Sequence, residues 1–308
     1  MLRKELLTFS QQRNNYWVME NRIGFSFLLP TLLLFAFVFI FPICFVLFAS
    51  LLDWNMMKPM AGVRFVGIEN YISLLTDKSI WHSIWVTAKF VIVAVPLEMV
   101  LGVCLALLMD REFKGKRIIQ ALILIPCMVS PTSSYLSWKF LFEPTYGLLN
   151  YLLGLLHLKE IGWLSDVKTA LMSIVIVDMW QNIPFVYLVA YAGLQAISEE
   201  PVEAAQVDGA SGLQILWHVI LPELKPVLLV TAIVRLMDAI RVFDNIYVLT
   251  RGGPADATRT LQYECYDTAF QALLVGRGSA LAIIIVVIIL MVGWPLIKQM
   301  NEITEERR

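Results

Sequence analysis

Charge is scarce in this chain. Only 16% of its 308 residues are Asp, Glu, Lys or Arg, against about 25% in an average soluble domain. The net charge is −1, so no broad field of one sign marks a nucleic-acid partner. Cysteine is scarce as well. Cys44, Cys104, Cys127 and Cys265 are scattered and form no C-x-x-C pair, which predicts free, mostly buried thiols. His82, His157 and His218 are far apart, so no metal-ligand spacing exists. No G-x-x-x-x-G-K-[ST] loop is present, which excludes a phosphate-cradling ATPase. Ser, His and Asp occur in no nucleophile–base arrangement, so no catalytic residue is assigned. Neither a long Gly/Ser/Pro linker nor a visible repeat divides the chain.

Apolar residues are what the chain has in excess. They make up 58% of it and fall in long blocks, the pattern of a polytopic all-α membrane protein. Six spans are predicted, at residues 24–51, 84–109, 118–141, 169–194, 226–249 and 279–297. The first run is about twice the length of a signal-peptide core, so it is read as a retained span. Pro30 and Pro42 should kink it, and Pro126 and Pro131 fall in the third span. The expected organisation is a cytoplasmic segment 1–23, one membrane domain 24–297 and a cytoplasmic tail 298–308. With both termini inside, the cytoplasmic segments hold twelve Lys and Arg, densest at Arg111, Lys114, Lys116 and Arg117, against eight outside. That bias is the positive-inside signal, and residues 198–226 between spans four and five are then cytoplasmic.

Residues 198–226 are patterned like a folded element. Ser198 is a candidate cap, Glu199 and Glu200 suit a helix N-terminus, and Pro201 fits the first turn. Ala204 and Ala205 remove bulk, and Gly209 should stop the helix. Ser211 and Gln214 have capping-box spacing. A second helix then carries Leu213, Leu216, Trp217 and Ile220, and Pro222 and Pro226 are expected to end it. These residues predict a helix–turn–helix along the cytoplasmic face. By itself that pattern fits either a free interfacial hairpin or a surface gripped by another protein.

Glu203–Ala204–Ala205, Gly209 and Leu221–Pro222 resemble the EAA loop of the permease subunits of ABC importers. The family's Ile position is Val219 here. Residues 242–250 followed by Gly252–Gly253–Pro254 resemble the end of the fifth conserved span of carbohydrate-type permeases. Thr258, Tyr266, Phe270 and residues 278–281 continue that pattern, and Phe65–Val66–Gly67–Ile68–Glu69–Asn70–Tyr71 matches the segment before the family's first conserved span. The resemblance covers nearly the whole chain and is strongest to the maltose, trehalose and glycerol-3-phosphate group, without the extra spans and large insertion of the maltose permease's larger subunit. It implies a permease subunit for a sugar, oligosaccharide or polyol in a bacterial or archaeal plasma membrane. The implied partners are a second homologous permease, two ATP-binding subunits that carry the ATP and magnesium, and a solute-binding protein; this chain binds no cofactor. By resemblance, Glu203, Ala204, Ala205, Asp208, Gly209, Ala210, Leu221 and Pro222 contact the ATPase.

Ionisable groups inside spans are expensive unless they face a cavity or a partner. The chain places Lys89, Glu98, Asp178, Arg235, Asp238, Arg241 and Asp244 there. The last four recur every third residue with alternating sign, a row that can pair along one side of a helix or bridge between spans. In the fourth span, Trp180, Gln181 and Asn182 precede Pro184, which should break the helix. Planar polar and aromatic side chains suit a sugar. Trp180, Gln181, Asn182, Asp238, Arg241, Asp244, Asn245 and Tyr247 are therefore the candidate substrate path, with plain interface packing the alternative for Trp180. Rival functions are an ABC permease for a non-carbohydrate solute and an ion-coupled secondary transporter.

Overall fold

The computed structural model describes residues 27–58 and 62–306. The expected cytoplasmic segment 1–23, the first residues of the expected first span, and Arg307 and Arg308 lie outside the described residues. The chain is a helical bundle. Its helices are α1 (Phe27–Ala49), α2 (Glu69–Thr76), α3 (Lys78–Met109), α4 (Lys116–Met128), α5 (Pro131–Leu141) and α6 (Leu148–Leu155). They continue with α7 (Ala170–Gln195), α8 (Glu200–Val207), α9 (Gly212–Ile215), α10 (Leu221–Ile240), α11 (Asp244–Leu249), α12 (Leu261–Tyr266) and α13 (Val275–Glu306). One small addition to the expected all-helical fold is an antiparallel pair, β1 (Leu52–Asp53) with β2 (Arg64–Phe65).

Among the described residues, α1, α3, α7 and α13 are long and apolar enough to cross a membrane, and the bent pair α4–α5 supplies a fifth candidate. The chain is thus a multi-pass membrane protein. α3 has 32 residues, a length of about 48 Å, well beyond a hydrocarbon core of about 30 Å. Asp77 caps its start by accepting from the Ser79 N–H.

The centre of the bundle is the crossing of α3 with α7. Gly102 makes that crossing possible: a Cβ there would lie 2.5 Å from Val186 Cγ1. Small residues let helices approach where no water is available to drive association. Around this crossing, Phe90, Ala94, Ile174, Val177, Ala239 and Ile246 form one buried cluster. Ala106, Tyr187, Ala190 and Leu224 form a second, nearer the hairpin. A third ties α2, α3, α12 and α13 through Leu74, Ile80, Leu261 and Leu281.

Several expectations are corrected here. The expected third span, proline-rich and expected to be kinked or mobile, is bent so sharply that it forms two helices, α4 and α5, meeting at 98°. Val129 and Ser130 both leave helical geometry and Pro131 opens α5; Ser130, the residue before the proline, is pushed out of the helical region. The fourth span is not broken at Pro184, which sits buried inside a continuous α7. The stretch expected as the fifth span is broken instead, between Ile240 and Asp244. Only Cys265 is buried; Cys44, Cys104 and Cys127 lie on the outer surface of the bundle, where thiols in apolar runs face outward with the rest of the helix surface.

The two kinks expected at Pro30 and Pro42 reduce to one feature. A π turn, Ala36–Ile40, stands just ahead of Pro42. A second, Leu216–Ile220, stands at the same spacing ahead of Pro222. In each, the amide after the turn reaches back five residues, Phe41 to Ala36 and Leu221 to Leu216. A proline ring crowds the carbonyl four residues before it, and one widened turn makes room without ending the helix. Consequently Pro222 and Pro226 do not end the second limb of the 198–226 segment. It runs on from Gly212 into α10 without interruption.

Candidate functional site

The site begins with a buried charge on the stretch expected as the fifth span. Arg235 on α10 is only 4% exposed, and Glu98 on α3 is fully buried. Arg235 Nε donates to Glu98 Oε2 at 2.8 Å and its second guanidinium arm to Asp178 Oδ2 on α7 at 3.1 Å. Asn245 Nδ2 on α11 donates to the other Asp178 oxygen at 3.1 Å. One guanidinium therefore joins three helices, and Asn245 adds the fourth. The row of alternating charges expected along the fifth span does not pair as a row. Arg235 reaches across to other helices, and only Arg241 and Asp238 pair along the helix, at 2.9 Å.

The break between α10 and α11 lies beside this cluster. Arg241 and Phe243 leave helical geometry, and the freed Val242 carbonyl accepts from Thr260 Oγ1 at 3.2 Å. Irregular backbone at such depth occurs where neighbours satisfy it or where it lines a cavity. Both hold here. A cleft of about 220 Å³ opens at the break, lined by Tyr135, Asp178, Asn182, Arg235, Asp238, Arg241, Phe243, Asp244 and Asn245. Asp238 and Arg241 are half exposed in it, and Asp244 is exposed at the first turn of α11.

Of the candidate path residues, the cleft gathers Asn182, Asp238, Arg241, Asp244 and Asn245. Asn182 lines it while donating to the Asp178 backbone carbonyl at 2.9 Å. Gln181, Trp180 and Tyr247 stand outside its lining. Gln181 is buried and donates to the Pro126 carbonyl at 2.6 Å, so it holds the α4–α5 bend. Trp180 meets Trp138 of α5 edge-on at 5.7 Å, and Tyr247 stacks on Phe243 at 5.5 Å. Lys89 rests over the Trp85 ring. Tyr135 and Phe243 were not legible as cleft residues. Tyr135 enters the site only because the 98° bend swings α5 toward α11, and no sequence pattern marks that.

A second feature lies at the other end of α7. α8 runs from Glu200 with Pro201 in its first turn, and the Ser198 hydroxyl accepts from the Glu200 N–H; Glu199, not Ser198, is the N-cap. The helix stops in a Schellman turn. Gly209 takes φ +80°, its N–H bonds the Gln206 carbonyl, and the Ala210 N–H bonds the Ala205 carbonyl. Ser211 and Gln214 form the expected capping box. Glu203, Ala204, Asp208 and Gly209 are exposed, as is Pro222, while Ala205, Ala210 and Leu221 are partly covered. Between the limbs is a groove of about 410 Å³, lined by Ala205, Asp208, Gly209, Ala210, Gln214, Ile215, His218 and Val219. Leu224 is 1% exposed and sits against Gly193 of α7, so the hairpin is seated on the bundle that carries the cleft.

Residues 98–299 match the family model described as "binding-protein-dependent transport system inner membrane component". The chain is 37% identical over 274 residues to the trehalose/maltose transport system permease protein of Thermococcus litoralis, covering 88% of this chain and 91% of that one. It is 36% identical over 280 residues to the trehalose transport system permease protein of Mycobacterium tuberculosis, covering 91% and 89%. Its fold matches a chain of a bacterial ABC transporter involved in import of the acidic polysaccharide alginate. The TM-score is 0.82 at 20% identity, and the match covers 95% of this chain and 99% of that one. A polar break inside a multi-pass bundle, a capped hairpin seated beneath it and a family match over most of the length lead to one conclusion: the chain belongs to the binding-protein-dependent ABC transporter permeases, a transport subunit rather than an enzyme.

Proposed function

We propose that this permease carries a neutral or polyhydroxylated saccharide or polyol through the cleft at the broken fifth span. The observation that supports this most directly is the cleft itself. Asn182, Asp238, Arg241, Asp244 and Asn245 converge there, and planar donors and acceptors of this kind match sugar hydroxyls. The similar proteins in Thermococcus and Mycobacterium are named for trehalose and maltose, which favours a carbohydrate over an amino acid or an ion. Six traverses are proposed: α1, α3, the bent α4–α5 pair, α7, the broken α10–α11 pair and α13. The hairpin and both termini are then cytoplasmic, in a bacterial or archaeal plasma membrane.

The 198–226 hairpin is the proposed coupling element. Glu203, Ala204, Ala205, Asp208, Gly209 and Ala210 dock on an ATP-binding subunit, and Leu221 and Pro222 carry its movement into α10. The partners are a second homologous permease, two ATP-binding subunits that hold the ATP and magnesium, and a solute-binding protein. Because the helix that starts at Gly212 runs on into α10 and ends at the cleft, movement of the turn at Gly209 is passed to Arg235 through that one helix. The test is uptake of radiolabelled trehalose and maltotriose into proteoliposomes holding the full complex and its solute-binding protein. Accumulation should require ATP inside the cytoplasmic compartment. ATP-independent accumulation driven by an ion gradient would overturn the reading.

A further inference from the structure

Five aromatic rings form a continuous row that starts in the cleft. Phe243, in the cleft wall, has its ring centroid 5.5 Å from Tyr247 and 4.9 Å from Tyr266. Tyr247 and Tyr266 meet edge-on at 5.6 Å, and Tyr266 lies 5.5 Å from Phe270. Tyr263 flanks the cleft end, 6.3 Å from Phe243. The guanidiniums of Arg251 and Arg259 each stand 5.7 Å from a ring centroid, of Tyr247 and Tyr263 respectively. These contacts hold the two rings in place.

The row has a direction. Leu261 N–H donates to Thr87 Oγ1, and Thr260 bonds the Val242 carbonyl, so α12 starts at the depth of the span break. From there the chain rises to Leu274, which pairs with Asn55, and to Leu273, whose carbonyl accepts from Met56. That is the face from which α3 and α13 start, opposite the hairpin. Tyr266 and Phe270 are one turn apart on this rising segment, a step of about 6 Å. Exposure rises with them. Tyr263 is 7% exposed, Phe243, Tyr247 and Tyr266 are partly exposed, and Phe270 is 68% exposed. The row therefore runs from the cleft to open surface.

We propose that Phe270, Tyr266, Tyr247 and Phe243 form a saccharide-binding track, an entry subsite that hands sugar from the outer face to the cleft. A pyranose ring presents a patch of C–H groups on one side, whose partial positive charge meets the negative face of an aromatic ring. Its hydroxyls stay at the rim, free to pass to Asn182, Asp238 and Arg241 in the cleft. The saccharide chemistry of the track rests on the function proposed above; its geometry does not.

The test uses the full complex in proteoliposomes with its solute-binding protein, and radiolabelled trehalose and maltotriose as probes. Phe270→Leu and Tyr266→Leu keep apolar bulk and remove the ring. Each should raise the half-saturating sugar concentration about three- to tenfold, the range for losing one ring contact. Basal ATP hydrolysis should be unchanged, and Phe270→Trp and Tyr266→Phe should transport like the unsubstituted protein. Affinity of the solute-binding protein for the complex, measured on a sensor surface, should not move. Leucine variants with unaltered saturation overturn the track alone. A parallel fall in affinity for the binding protein also overturns it, because Phe270 would then be a docking residue. Absence of saccharide uptake by the unsubstituted complex overturns the proposed function and takes the track with it.

Discussion

Arg235 shows how much a single residue can organise. Its guanidinium spends both arms on carboxylates from two other helices, and Asp178 in turn holds Asn245. Removing one partner of a buried ion group strands the others, at a cost of about 3–5 kcal/mol. Arg235→Met should therefore lower the thermal midpoint of the purified complex sharply. A midpoint within a degree or two of the parent would show that the cluster is not holding the helices. Gln181 makes a smaller case. Its amide satisfies the Pro126 carbonyl at the bend, so Gln181→Leu should destabilise by about 1–3 kcal/mol and speed amide exchange across 126–134. From the sequence alone, Gln181 and Trp180 were as good as Asn182 for a sugar site. All three are planar or aromatic and adjacent. Which of them faces the cleft depends on the phase of an unbroken α7, and Pro184 argued for a break that does not occur.

At the scale of elements, helix starts and stops were the most legible part of the chain. The Gly209 stop, the Ser211–Gln214 capping box and the Pro201 first turn all appear in the structure. They are local, because each rests on residues a few positions apart. Prolines were the least legible. Pro131 breaks a span, Pro184 does not, and Pro42 and Pro222 are absorbed by π turns. A proline's local effect is fixed, but whether the helix survives depends on which neighbours accept its orphaned carbonyl. Helix crossings follow the same logic. Gly102→Val would drive a side chain into Val186 and the Tyr187 backbone, an overpacking of about 1–3 kcal/mol. It should lower the yield of folded protein and the midpoint together, and Gly154→Val, where no atom lies within 4 Å, is the control.

For the whole molecule, the continuity of α9, the π turn and α10 matters most. It connects the hairpin to the cleft by one helix of the chain. Gly209→Val places a β-branched residue at φ +80°, a strain of about 1–2 kcal/mol confined to the hairpin turn. It should leave the cleft intact and uncouple transport from ATP hydrolysis, so that sugar moved per ATP falls while hydrolysis continues. Transport and hydrolysis falling in fixed proportion would show that the turn is not where coupling occurs. The sequence by itself determined the membrane class, the family and the form of the hairpin. Those depend on apolar run length and on spacings within one segment, and both are properties of a linear chain. The tertiary structure alone decided that α7 runs unbroken through Pro184 and that the chain breaks between α10 and α11. It also decided which charges neutralise Arg235, which polar residues share the cleft, and that a row of rings leads to it. These depend on contacts between residues far apart in sequence, such as Glu98 with Arg235 and Thr87 with Leu261, and only packing brings them together.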